Sequence, residues 1–252
     1  MNASNNILVD FCLPIRNEAL ILENSLNKLL AYCRQANFDF SWRIIGVVNG
    51  TSDASAAILR DFKQRFPNII DLIEVAEPGR GRALKKYWTS SRADILCYMD
   101  CDLATSLDNI PALIRPLVED RADLAIGSRL SVGAATKRSF VRELVSQSYN
   151  LISRLLLDHQ IADLQCGFKA VRREVFKKIE PHLLDVHWFF DTELIILALR
   201  FGFRVEQVPV DWRENRHQKR PSTVKFASDS WAFLKNLLAF RKRLKRLQKI
   251  SR

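Results

Sequence analysis

Two aspartates two residues apart, Asp100 and Asp102, follow directly on the apolar run Ile95–Met99. Such a run reads as a short buried strand. Carboxylates at i and i+2 of a strand end leave it on the same side, about 6.6 Å apart along the chain. Hard divalent cations take oxygen ligands and share them readily with phosphates. The pair can therefore hold one such ion together with a phosphate or a ribose. The same spacing also suits a solvated strand end, so the neighbouring segments decide between the two readings.

Three other segments end in the same way. Ile7–Leu13 runs into Pro14-Ile15-Arg16-Asn17-Glu18, and Trp42–Val48 into Asn49-Gly50-Thr51-Ser52-Asp53. Ile69–Val75 is followed by Glu77-Pro78-Gly79-Arg80-Gly81-Arg82-Ala83. Between these strands the apolar spacing turns helical: Leu22, Leu26, Leu29 and Leu30 share a face within 19–35, and 53–65, 81–91 and 107–119 follow suit. A further strand is expected over 123–126. Strands alternating with helices imply βαβ units and a mostly parallel sheet, whose ligands bind at the carboxyl ends of the strands. All four motifs fall on that edge. The bland alternatives are an ordinary turn at Gly79/Gly81 and a helix cap at Asp53.

Beyond Gly127 the pattern changes. A long amphipathic helix is expected over 139–157, a strand over 167–172, a helix over 190–200 and a strand over 203–212. A polar, basic loop over 214–221 then leads into a terminal helix. The chain divides into a catalytic unit over 1–225 and a basic amphipathic helix over 226–252.

Composition narrows the classes. The chain has 252 residues, 48% hydrophobic and 27% charged, enough for a core and too apolar for a disordered chain. Its longest apolar run, Leu194–Leu199, is far short of the roughly 20 residues that span a bilayer. No basic-then-apolar leader is read in Met1–Asp10. Five cysteines without a CxxC spacing point to reduced thiols, and the four histidines lack ligand spacing. Eight of the eleven net positive charges sit between Lys235 and Arg252, leaving +3 for the rest, which argues against a nucleic-acid-coating protein.

In this order, the four segments resemble the P-x-Y-N-E, D-D-G-S-x-D, G-K-G-x-A and D-x-D signatures of inverting family-2 glycosyltransferases of the GT-A fold. The second half resembles the polyprenyl-phosphate sugar synthases, such as dolichyl-phosphate mannose and glucose synthases. The residues that carry this are Ile126-Gly127-Ser128-Arg129, Arg142 with Ser146 and Asn150, and Asp163 through Lys169. Trp188-Phe189-Phe190-Asp191-Thr192-Glu193 and Val208 through Arg213 complete it. The resemblance implies an α/β, Rossmann-like GT-A sheet flanked by helices. It also implies transfer of a hexose from a UDP- or GDP-sugar to a polyprenyl phosphate, with inversion and with Mg²⁺ or Mn²⁺. Pro14, Glu18, Asn49, Arg80, Asp100, Cys101 and Asp102 would bind the nucleotide sugar, and Asp100 and Asp102 the metal. Asp102, Arg142, Asp163 and Asp191 would be catalytic. Arg129, Arg142 and Arg213 would clamp the acceptor phosphate, because guanidinium forks match phosphate oxygens.

The departures are specific. Val48 and Asn49 replace the paired acids of the second motif, Arg16 replaces Tyr, Arg80 replaces Lys, and Ala104 stands where some mannose synthases have a metal-assisting Gln. Trp188 and Trp212 border the motifs but read as core. In the tail, Phe233, Phe240 and Leu247 repeat at seven with Leu237 and Leu244 beside them, and Lys235, Lys242 and Lys249 face the other way. That stripe suits a membrane surface, packing on the domain, or a second copy. A lipid acceptor favours the membrane and a cytoplasmic, peripheral location. Two rivals stay open. One is the same fold with a hydroxyl acceptor, using Asp163, Asp191 or Glu193 as base. The other is a non-catalytic nucleotide-sugar or nucleic-acid binder.

Overall fold

The computed structural model describes residues 7–137, 140–213 and 226–250; the side chains of 137, 140–146, 226–232 and 248–250 are outside that description. Alternating apolar residues put opposite sides of each central strand into separate cores. Val9, Phe11 and Leu13 of β1 (Leu8–Ile15) face one layer, and Cys12 faces the other. In β4 (Ile95–Met99), Ile95, Cys97 and Met99 join the first layer, and Leu96 and Tyr98 the second. Residues at odd and even positions point to opposite faces, so both must be apolar when helices cover both sides.

The first layer holds α1 (Ala19–Gln35), α2 (Ser55–Arg65) and α4 (Ile110–Val118). The second holds α3 (Arg80–Ser90), the end of α5 (Phe140–Leu157), α6 (Arg173–Ile179), α7 (Phe190–Arg200) and α8 (Phe226–Ile250). Between them lies a seven-stranded sheet of order β3-β2-β1-β4-β7-β5-β8, with β2 at Ser41–Asn49, β3 at Ile70–Val75, β5 at Leu124–Ser128, β7 at Phe168–Arg172 and β8 at Val205–Pro209. Every pairing is parallel except those of β7 with β4 and β5.

That one reversed strand matters for the site. Because β7 runs backwards, the segment that enters it arrives at the edge where β1, β2 and β4 end. Met99 pairs with Phe168, and the Asp100 N–H donates to Gly167 O at 3.0 Å. Pro14 lies past the reach of β4, which pairs with β1 only over Val9–Cys12, so its missing N–H costs no ladder bond there.

The expected elements are present, with three differences. The expected strand over 203–212 is divided into β8 and a two-residue strand, β9 (Trp212–Arg213), which pairs with β6 (Thr136–Lys137). The helix α6 was not anticipated. The apolar stripe of α8 is packed inward: Leu237, Phe240 and Leu244 are buried in the second core, with Phe233 and Leu247 against it. That stripe therefore packs on the domain and not on a bilayer. Among the described residues no helix is long and apolar enough to cross a membrane, and all five cysteines are buried and unbridged.

Candidate active site

At the ends of β1 and β2 the polar side chains tie the two loops together. Asn17, at φ +56°, accepts from the Ser52 N–H at 2.9 Å, and Asp53 accepts from the N–H groups of Ala19 and Ser55, each at 2.9 Å. Burial alone would raise the Asp53 carboxyl, but the bonds from Ser55 and Ala19 outweigh it and hold it below the usual range. Asp53 thus caps two helix starts. Glu18 reaches the same junction through its own N–H, which donates to Ser55 Oγ at 2.9 Å. Asn49 is buried; its amide donates to Ile15 O at 3.0 Å and accepts from the Gly79 N–H at 2.9 Å. Its amide therefore joins β1 to the loop after β3.

The glycines of that loop have a packing reason. A methyl on Gly79, which sits at φ +147°, would collide with Val186 O, and one on Gly81 would lie 2.7 Å from Phe190 Cβ. The Gly81 and Arg82 N–H groups, at the start of α3, donate to His187 O (3.2 Å) and Val186 O (3.0 Å). Two first-turn donors of α3 are thus occupied by the 185–188 loop, and the Arg80 side chain adds positive charge at this edge.

Arg80 is the hub. Its side chain is 9% exposed, its Nη1 donates to Asp191 Oδ2 at 3.1 Å, and its Nη2 donates to Asp100 Oδ1. Its guanidinium lies 4.5 Å from the centre of the Trp188 ring. Trp188 is 45% exposed, which corrects its reading as core. The other oxygen of Asp191 accepts from Tyr98 Oη and from Lys169 Nζ, the latter at 3.0 Å and wholly buried. Burial first, then the Asp191 charge, push the Tyr98 hydroxyl well above its ordinary pKa, so it stays a donor. Lys169 and Tyr98 escaped the sequence reading as site residues; the Lys169 of Cys166-Gly167-Phe168-Lys169 was the available signal.

Asp100 and Asp102 sit on the turn after β4, with Leu103 at φ +50° and Asp102 Oδ1 accepting from the Ala104 N–H at 3.1 Å. Cys101 between them is buried in the first core. The close approach of Asp100 explains Gly167, where any side chain would strike the Asp100 carboxylate. Among the described residues no three His, Cys, Asp or Glu groups converge as a metal cage. Two carboxylates on a turn nevertheless fit an Mg²⁺ or Mn²⁺ ion that completes its shell with water and a diphosphate.

A second bank, around Arg129, is built differently. Asp163 is buried and takes Arg129 Nε at 2.7 Å, Nη2 at 2.9 Å, the Arg129 N–H at 3.2 Å and the Gln165 N–H at 3.1 Å. Burial would raise its carboxyl, but the Arg129 charge and hydrogen bonds hold it below the ordinary range. Glu193 is equally committed: one oxygen accepts from the Leu184 and Asp185 N–H groups (2.7 and 2.9 Å), the other from Arg243 Nη2 of α8 at 2.6 Å. Arg213 is exposed, and its N–H donates to Ala104 O at 2.8 Å, which pins it beside the Asp100–Asp102 turn. A cleft of about 380 Å³ lies there, lined by Leu103, Ala104, Ser106, Asp108, Asp211 and Arg213. Arg142 lies in the first turn of α5, and its side chain is outside the described residues.

Comparison with known proteins places this architecture. The profile of glycosyl transferase family 2 matches residues 10–180. The chain belongs to that family. As a glycosyltransferase, it is 33% identical over 204 residues to Glycosyltransferase AglD of Haloferax volcanii, covering 81% of this chain but 33% of AglD. The chain thus spans about a third of that relative's length. It is 28% identical over 236 residues to the dolichyl-phosphate beta-glucosyltransferase ALG5C of Trichomonas vaginalis, covering 89% and 70% of the two chains. The human dolichyl-phosphate beta-glucosyltransferase is 27% identical over 215 residues, with 80% and 66% covered. Among solved structures, the UDP complex of glucosyl-3-phosphoglycerate synthase from Mycobacterium tuberculosis aligns with a TM-score of 0.67 at 19% identity, covering 95% of this chain and 82% of that one. The GT-A fold expected from the motifs is the observed one.

Proposed function

We propose that this glycosyltransferase moves a hexose, glucose or mannose, from a UDP- or GDP-sugar to a polyprenyl phosphate, inverting the anomeric carbon. The observation that carries the acceptor class is the state of the three candidate bases. Each oxygen of Asp163, Asp191 and Glu193 already accepts a hydrogen bond from a cation, a hydroxyl or a backbone N–H. A hydroxyl acceptor must lose a proton to a nearby base as it attacks. A phosphate monoester is already anionic at neutral pH and needs none. The relatives named for dolichyl phosphate support the same class.

Asp100 and Asp102 would hold the divalent ion, which when bound offsets charge on the departing nucleoside diphosphate. Arg80 is placed to bind the same diphosphate: it stands between Asp100 and Asp191, with its guanidinium over the Trp188 ring. Lys169 and Tyr98 keep Asp191 neutralised when Arg80 turns to the phosphates. Pro14, Glu18 and Asn49 shape the floor beneath the nucleotide. On the other bank, Arg213, Arg142 and the remaining Nη1 of Arg129 orient the acceptor phosphate for in-line attack. The setting is a membrane surface on its cytoplasmic side.

The test is transfer of radiolabelled sugar from a panel of UDP- and GDP-hexoses to a short polyprenyl phosphate, with Mn²⁺ or Mg²⁺ and with EDTA. Lipid-soluble label that disappears with EDTA is the expected result. Label on a soluble glycan, with none on the lipid, overturns the acceptor and returns the carboxylates to the role of base.

A further inference from the structure

We propose that the outward face of α5, with the basic outer face of α8 beside it, docks on a bilayer surface bearing anionic headgroups. The inference rests on the lipid-phosphate reading for its purpose but not for its evidence. At 100° per residue, the buried Asn150, Ser153 and Leu157 mark the inner side of α5. Leu151, Ile152 and Leu155 fall on the opposite side and are 59%, 40% and 74% exposed. Three neighbouring aliphatic side chains in water on one helix face are a contact surface in need of a partner.

The adjacent helix identifies the partner. Tyr149 of α5 and Phe233 of α8 meet edge to face at 5.1 Å, and both helices lay their inner sides on the same core. Their outer sides therefore face the same way. On α8 that side carries Lys235, Lys242, Lys245 and Arg246, all exposed, with Leu238 among them at 46% and no acidic residue among the described side chains. A second copy related by a two-fold axis would bring two such cationic faces together. An anionic bilayer takes both components, apolar side chains into the headgroup boundary and cations onto the phosphates.

The inner side of α5 explains what docking achieves. Asn150 accepts from the Leu164 N–H at 3.3 Å, and Tyr149 Oη lies 2.6 Å from Thr192 Oγ1, one residue from Asp191. A membrane on the outer face thus lies about one helix diameter, roughly 10–12 Å, from the acceptor bank. That suits an acceptor whose phosphate stays close to the lipid surface.

The experiment is flotation of the full chain with vesicles of phosphatidylcholine, alone or with phosphatidylglycerol. Wild type is expected to float with the anionic vesicles. L151E/L155E should lower its partitioning about tenfold, and K242E/K245E should remove the preference for phosphatidylglycerol. An environment-sensitive dye on Leu155→Cys, selective because the native cysteines are buried, should shift to the blue on those vesicles. L151E/L155E floating as wild type does, or a dye that stays in water, overturns the proposal. So does a wild-type dimer in sedimentation that L151E/L155E dissociates, which gives the face to a second copy. Transfer to a short, water-soluble isoprenyl phosphate without vesicles is measured in parallel and should be the same in both proteins. Transfer without flotation overturns the docking face alone. Flotation without transfer supports the face and overturns the acceptor.

Discussion

Two buried arginine–carboxylate sites, Arg80 with Asp191 and Arg129 with Asp163, are wired differently. Asp191 is shared by Arg80, Lys169 and Tyr98, and Arg80 is itself shared with Asp100, which is 41% exposed. Asp163 relies on the one guanidinium of Arg129, gripped by two parallel bonds and a backbone N–H. Arg80 can turn toward an incoming diphosphate while Asp191 keeps a cation and a hydroxyl. If Arg129 left, a buried charge would lose its only guanidinium. The Arg80 site is built to exchange partners and the Arg129 site to hold its shape.

Truncating each arginine tests that contrast most sharply. Removing one partner of a buried pair costs about 3–5 kcal/mol, most of it from the charge left behind. Arg129→Met is therefore expected to lower unfolding free energy by that amount, a melting point lower by roughly 10 °C in a chain of this size. Arg80→Met should cost only about 1 kcal/mol, because Lys169 and Tyr98 remain on Asp191 and water reaches Asp100. Its loss should appear instead as a raised KM for the nucleotide sugar. Equal destabilisation by both would break the comparison.

Asp102→Asn probes the donor bank from the metal side. The Asn side chain still accepts from the Ala104 N–H, so folding should be unchanged. Transfer should fall by about 10²–10³-fold, the scale of removing one preorganised charge interaction at a leaving group. Near-wild-type transfer that EDTA still abolishes would show that the ion is held elsewhere.

The acceptor bank should also be the acid-sensitive one. His159 is buried between Ser153 Oγ at 3.2 Å and the Ile161 N–H at 3.1 Å. Burial first, then the charges of Arg154 and Arg200, push its pKa down to about 4 from 6.5. A base that charges less readily folded than unfolded gives stability that is complete above pH 6.5 and lost as pH falls through about 4. The loss should be at most about 3.5 kcal/mol in urea unfolding, at about 1.4 kcal/mol per pKa unit between 6.5 and about 4. His159→Gln should flatten that slope. Below the carboxylate range the Arg129–Asp163 pair, with Asp163 held low, should add a second loss.

Most strands and helices were legible because their apolar residues repeat at two or near 3.6, and the donor motifs because they lie in the loops directly after strands. The Asp100–Asp102 turn needed no tertiary information. The roles of Asn49, Gly79 and Gly81 did, because their reasons lie in Gly79, Val186 and Phe190, up to 109 residues away in the chain for Gly81 and Phe190. Lys169 was hidden for another reason: a lysine in a strand reads as a solvated face until β7 is found between β4 and β5. The α8 stripe was read correctly as amphipathic. Its pattern alone could not say whether protein or lipid covers it.

The smallest effect concerns how far α8 reaches into the donor bank. Arg243 of α8 holds one oxygen of Glu193 while the other holds the Leu184 and Asp185 N–H groups. The following residues carry Val186 O and His187 O, which cap α3, and then Trp188, on which Arg80 lies. Arg243→Gln leaves Glu193 its two backbone donors, so stability should fall by only about 1 kcal/mol. A slackened loop should nonetheless loosen Trp188 over Arg80 and raise the donor KM a few-fold with kcat unchanged, and Arg243→Lys should restore part of it. A change confined to melting temperature would mean that α8 only braces the fold. A KM shift reversed by lysine would mean that the helix on the acceptor side also sets the geometry of the donor side.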